Sequence, residues 1–278
     1  MLNELVFLSA IAFIAFLIIP QDKKKYCAVA GWIFIVLSLI LDLPFYIYEE
    51  NNFLYPMMAV LSIPFLIITV SELLKDNNLT IYLSRGAAIA FLIYFPFGYI
   101  PELGNWLIGT VAGQVAWIGS AIGCHYSQVD WNLLQYSVFR VEIIHACTGI
   151  QSIAIMLGLS FCLPTTLKQK IYSFLVVVPV IYILNLFRNV FVVEAYTQQW
   201  FNFLPEIASN GEYGYESFFW AHNVLAELGA LVFLIVLALA IFKIIPDLGD
   251  FARDLVNLYA ARVKEWTGKS GKKSDKTD

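Results

Sequence analysis

Seven long apolar stretches, their middles almost free of charge, dominate this 278-residue chain. They run roughly from Leu2 to Pro20, Tyr26 to Tyr46, Phe53 to Leu74, Leu79 to Ile100, Ala146 to Leu163, Ile171 to Phe187 and His222 to Ile245. Each approaches the ~20 residues that a helix needs to cross a hydrocarbon core about 30 Å thick. Backbone groups find no water there, so such spans must be helical. With 60% hydrophobic and 14% charged residues, the composition excludes an ordinary soluble domain. The expected fold is an all-α polytopic membrane protein with about seven transmembrane helices.

Charge sets the expected orientation, because cytoplasmic segments collect Lys and Arg. An N-terminus outside puts Lys23, Lys24 and Lys25 in the first cytoplasmic loop. Lys75 and Arg85 then flank the second, Lys168 and Lys170 fill the third, and the C-terminus from Lys243 onward is cytoplasmic. Of the 17 basic residues, this leaves only Arg140 and Arg188 outside. No basic region precedes the first run, which reads as a retained span rather than a cleaved signal. Trp106 to Gly123 is also apolar and uncharged. Crossing alone it would invert every later loop, so it reads as interfacial or re-entrant. A crossing that returned through Trp131 to His145 would keep the parity and raise the count to eight or nine. Residues 1–266 read as one transmembrane domain, and 267–278 as a disordered, charged cytoplasmic tail.

The outward segments, Pro101 to His145 and Arg188 to Ala221, are rich in aromatics, Gly and acids, including Asp130, Glu142, Glu194, Glu206, Glu212 and Glu216. No basic groove with interleaved aromatics appears, which argues against nucleic acid. Three residues stand where apolar runs meet this outer face: Cys147, Arg188 and His222. A thiolate is a good nucleophile when a cation or a base lowers its pKa. Cys147 stands at the N-terminal end of a predicted helix, where the macrodipole favours an anion. Thr148-Gly149 follows, offering close backbone approach and free N–H groups for a developing oxyanion. The plain alternative is a cysteine that only packs at a helix end.

Arg188 adjoins a span and runs against the charge trend, a costly placement unless it snorkels, pairs or serves a site. It stays protonated, so its natural role is electrostatic. Its plain alternative is an interfacial anchor paired with Glu194 or a lipid phosphate. His222 titrates near neutrality and can move a proton. His145 is a rival base, His125 a weaker one, and Glu142 and Arg140 are supporting candidates by proximity alone. Cys124, His125, His145 and Cys147 are zinc-ligand types without a recognised ligand spacing, so no metal is expected. Cys27 and Cys162 read as small buried hydrophobes, and a Cys124–Cys147 disulfide has no positive support.

The run Ala146-Cys147-Thr148-Gly149-Ile150-Gln151-Ser152 resembles the Cys-Ser/Thr-Gly signature of the exosortase/archaeosortase family. Leu184-Asn185-Leu186-Phe187-Arg188-Asn189-Val190 resembles its second motif, Asn-x-x-Arg. Ala221-His222-Asn223 resembles the third, which usually supplies His. The order and placement agree over most of the chain, and the ACTGIQS form is most similar to the archaeosortase branch. The resemblance implies a membrane cysteine transpeptidase facing the extracytoplasmic side of the cell membrane. Its substrates would be secreted surface proteins with a C-terminal Pro-Gly-Phe motif, a transmembrane helix and a basic tail. Cleavage would give an acyl-enzyme thioester on Cys147, which is transferred to a membrane lipid acceptor without any cofactor. The rival classes are a transporter, which would place polar groups near the bilayer midplane, and a scaffold indifferent to Cys147.

Overall fold

The structure, a computed structural model, describes residues 2–48, 54–207 and 213–267. In chain order it contains α1 (Leu2–Ile18), α2 (Gln21–Leu41), α3 (Leu43–Tyr48), α4 (Leu54–Leu74), α5 (Asn78–Tyr99) and α6 (Pro101–Ile122). Three strands follow, β1 (Ser127–Asp130), β2 (Leu133–Tyr136) and β3 (Phe139–Glu142), then a 3-10 turn over His145–Thr148. After it come α7 (Ile150–Phe161), α8 (Leu167–Thr197), α9 (Tyr215–Phe219), a π-helical turn (Trp220–Ala226), α10 (Glu227–Ile244) and α11 (Pro246–Trp266). Glu212 and residues 268–278, part of the expected tail, lie outside the described residues.

Among the described residues, five helical segments are long and apolar enough to cross a membrane: Lys23–Tyr48, Tyr55–Leu74, Asn78–Tyr99, Leu167–Thr197 and Tyr215–Ile244. The shorter apolar helices Glu4–Ile18 and Ile150–Phe161 accompany them. The chain is thus an all-α polytopic membrane protein in its main architecture, as the hydropathy requires.

The chain divides into two compact units, Met1–Ala88 with Ile245–Asp278, and Ile89–Ile244. In the first, Trp32 of α2 stacks edge-on with Phe13 of α1 and Phe65 of α4, each at 5.1 Å. Its indole N–H donates to Ser84 of α5 at 2.9 Å. The amphipathic helix α11 packs on α4, with Tyr259 stacked on Phe65 and bonded to Thr69 at 2.6 Å. The buried Glu72 carboxylate meets Lys75 and Arg262 there, each at 2.9 Å.

In the second unit a three-stranded antiparallel sheet, in the order β1-β2-β3, occupies part of the expected outward segment Pro101 to His145, and Trp106 to Gly123 falls almost wholly in α6. Its β3 alternates as a half-buried strand should: Val141 and Ile143 are buried, while Arg140 and Glu142 are exposed. A strand trio leaves Trp131–His145 no helix with which to return across a membrane. The stripe Gly104, Leu107, Ile108, Val111, Ala112, Val115, Gly119 of α6 repeats at helical period and is buried. It shares one core with Leu134, Val141 and Ile143 of the sheet region and with Leu186, Val190 and Val193 of α8. Leu103, Trp106, Trp117 and Ile122 remain exposed. Gly123 closes α6 in the left-handed conformation (φ 87°), where glycine carries no Cβ penalty.

The expected span Ala146–Leu163 is broken. Gly149 takes φ 77°, separating the 3-10 turn from the 12-residue α7. Twelve residues rise only about 18 Å, and the link Cys162–Thr166 carries the chain on to α8. That helix starts on a capping box between Thr166 and Gln169 and runs for 31 residues, about 46 Å. This exceeds a hydrocarbon core by roughly half. The excess is its C-terminal end, where Val192 to Thr197 are buried in protein. α8 runs antiparallel to the π-helical turn and α10, tied by Arg188 to His222 of the turn (3.3 Å) and by Gln169 to the Ile244 carbonyl at the end of α10 (3.2 Å).

Candidate active site

Asparagines at i and i+4 share one face of a helix, and α8 uses such a pair. Asn185 and Asn189 both donate from Nδ2 to the backbone carbonyl of Cys147, at 2.7 and 2.8 Å. The 3-10 turn that carries Cys147 is therefore held against the helix that carries Arg188. Asn185 also limits what may stand at position 149, since a Cβ there would come within 3.1 Å of its side chain. Only glycine accepts both that approach and φ 77° without strain.

Arg188 is tied to Asn189 Oδ1 through Nη1 at 3.4 Å and to His222 Nε2 through Nη2 at 3.3 Å. A guanidinium can only donate, so Nε2 is the bare, accepting nitrogen of His222. Nδ1 then carries the hydrogen and donates to Asn223 Oδ1 at 2.6 Å. Phe218 stacks on the imidazole with centroids 5.0 Å apart. His222 lies in the π-helical turn Trp220–Ala226, a rare form found often at functional sites. Cys147 and Glu227 both lie within electrostatic range of Arg188, and Arg188 in turn is bonded to the imidazole. No sequence signal had singled out Glu227.

The other candidates sit elsewhere. Arg140 bonds to Gln135 at 3.0 Å and Glu142 to Asn132 at 3.0 Å, both pairs lying on the sheet. His145 turns toward α5, its Nδ1 3.5 Å from the Tyr94 hydroxyl, and burial holds its imidazole below the ordinary value. Glu194 does not pair with Arg188. It accepts from the backbone N–H of His125 at 3.3 Å and lies 3.2 Å from its Nδ1. All four cysteines are free, and burial, then the Glu194 carboxyl, pushes the Cys124 thiol above its ordinary value. Among the described residues no group of three or more His, Cys, Asp or Glu is placed to hold a metal ion.

The asparagine pair gives a first prediction. Asn189→Leu or Asn185→Leu leaves the Cys147 carbonyl one donor, a loss of about 1 kcal/mol each. The double variant strands a half-buried carbonyl, so its loss exceeds the sum of the two. Thermal unfolding of the four proteins in detergent measures this, and strict additivity would contradict a shared clamp.

The profile of one family, described as Transmembrane exosortase (Exosortase_EpsH), matches residues 4–242. Archaeosortase A of Natronomonas pharaonis is 27% identical over 259 residues, covering 87% of this chain and 82% of its own. Archaeosortase A of Haloferax volcanii is 24% identical over 260 residues, 85% of this chain and 86% of its own. No solved structure matches.

Proposed function

The chain belongs to the transmembrane exosortase family, and from that premise we propose that it is a membrane cysteine transpeptidase with Cys147 as nucleophile. The supporting observation is the double tie from Asn185 and Asn189 to the Cys147 carbonyl, which holds the turn carrying Cys147 against the helix whose Arg188 is bonded to His222. In this reading the substrate is a surface protein with a C-terminal Pro-Gly-Phe motif, a transmembrane helix and a basic tail. The site faces the extracytoplasmic side, where that motif emerges.

The thiol proton passes to His222 Nε2 as the Arg188 bond to that nitrogen opens, and the thiolate adds to the scissile carbonyl. Arg188 stabilises the oxyanion, while the first N–H of α7, that of Ile150, is given to the Thr148 hydroxyl. The guanidinium stays protonated throughout, so its contribution is charge and geometry. Collapse of the tetrahedral intermediate breaks the C–N bond, and His222 returns its proton to the leaving amine. A thioester remains on Cys147 until a membrane lipid takes the acyl group.

The test is to trap that thioester. Full-length protein incubated with a tailed substrate should carry a hydroxylamine-labile adduct on the peptide containing Cys147. Cys124 serves as an internal control, because its raised pKa keeps it a thiol at neutral pH. An adduct mapping to any other residue, or none under turnover, sinks the assignment.

A further inference from the structure

Between α8 and α10 a cavity of about 670 Å³ opens beside Arg188, the one member of the Cys147–Arg188–His222 trio that lines it, together with Gly149 and Asn185. Only Arg188 of the lining is charged. Deeper walls such as Leu184, Leu234 and Leu237 are apolar. Phe187, Phe233 and Val236 are also exposed on the surface, so the cavity opens sideways toward hydrocarbon. From Leu225 to Ala240 it follows α10 for 15 positions, about 22 Å.

We propose that this cavity binds one phospholipid, its phosphate on Arg188 and a hydrocarbon chain along α10, and that this lipid is the acyl acceptor. The proposal rests on the transpeptidase reading above and adds the acceptor's class and place. Charge complementarity argues for it: the bonds to His222 and Asn189 use two of the five guanidinium hydrogens. The remaining donors match phosphate oxygens at the head of an apolar slot. Charge separates it from the rival occupant, the substrate's own apolar helix, which would bring no anion to Arg188. In transfer, a headgroup amine or hydroxyl adds to the thioester carbonyl. The C–S bond breaks, the new amide or ester forms, and the proton lost by the nucleophile ends on the Cys147 thiolate.

Gly229 lines the cavity, and a Cβ there would meet nothing within 4 Å. Gly229→Leu therefore fills the slot without a clash and raises helix propensity. The probe is phosphatidylglycerol with a diazirine at the end of one chain, diluted in phosphatidylcholine nanodiscs holding the full chain. Irradiation should label the cavity face of α8 and α10 in the unaltered protein, and Gly229→Leu should lose that label while keeping labels on the exposed Leu228, Val232 and Ile235. Arg188→Gln should lower cavity labelling about tenfold, the loss of a charge-assisted hydrogen bond. With a tailed substrate, Gly229→Leu should accumulate thioester and release it slowly. Labelling spread evenly around α10 in both proteins overturns the proposal. So does a Gly229→Leu variant that fails to form thioester, because the slot would then serve the peptide. If the unaltered protein forms no thioester, the transpeptidase reading fails instead, and the labelling still decides whether a lipid sits here.

Discussion

Replacing Cys147 with alanine is expected to lower cleavage of a tailed substrate by at least about 10⁴-fold, the usual scale for losing a nucleophile whose partners act as a unit. The structure makes this a clean experiment. The bonds from Asn185 and Asn189 end on the backbone carbonyl of Cys147, not on its sulfur. Alanine keeps that carbonyl, so the turn stays docked on α8. The variant should insert, keep an unfolding midpoint near that of the parent and form no hydroxylamine-labile adduct. Cys147→Ser has no sulfur to carry a thioester and should build up no ester in its place, because a hydroxyl there is a far weaker nucleophile at neutral pH. Processing by the alanine variant at a parental rate would remove Cys147 from the chemistry.

Arg188→Gln is expected to slow thioester formation by about 10² to 10³-fold, the range for one group that stabilises a developing oxyanion. Lysine at the same position keeps the charge but loses the planar fork that reaches both His222 and Asn189. Arg188→Lys should therefore fall between the parent and the glutamine variant. Single-turnover trapping on Cys147 is the appropriate measurement, since it isolates acylation from lipid transfer. Equal rates in all three proteins would leave Arg188 as an anchor and nothing more.

Much of the fold was legible because apolar spans are set by local composition. The runs beginning at Tyr26, Phe53, Leu79, Ile171 and His222 all correspond to long apolar helices. The three motifs identified the family, and the family match bears that out. What stayed hidden needs either another periodicity or distance along the chain. Phe139 to Glu142 alternates at period two, which a window tuned to long helices averages away. The left-handed Gly149 splits a run whose hydropathy is continuous across it. The polar stripe of α11 follows helical period, but its overall balance resembles a soluble tail.

At the site, Arg188 was singled out by its cost in a membrane, whereas Asn189 raised no such alarm. Its partner is a carbonyl 42 positions away, a pairing no local pattern encodes. Asn185 was visible within the second motif, yet its target was not. Glu194 shows the converse. A charge argument offered it to Arg188, while the loop after α6 brings His125 to it instead.

The length of α8 carries a consequence of its own. Arg188 follows the Thr166 cap by 22 positions, about 33 Å of helix against a hydrocarbon core of about 30 Å. If the site works at the outer surface, as proposed, a rod of that length acts as a gauge, spanning the core between its capped end and Arg188. The bilayer then shares in setting the height of the thiol, and its thickness becomes a working dimension of the enzyme. In a thicker membrane the cluster sinks into hydrocarbon, out of reach of an extended peptide in water. In a thinner one α8 must tilt, which turns Cys147 and Arg188 together, because the asparagine clamp lets neither move alone.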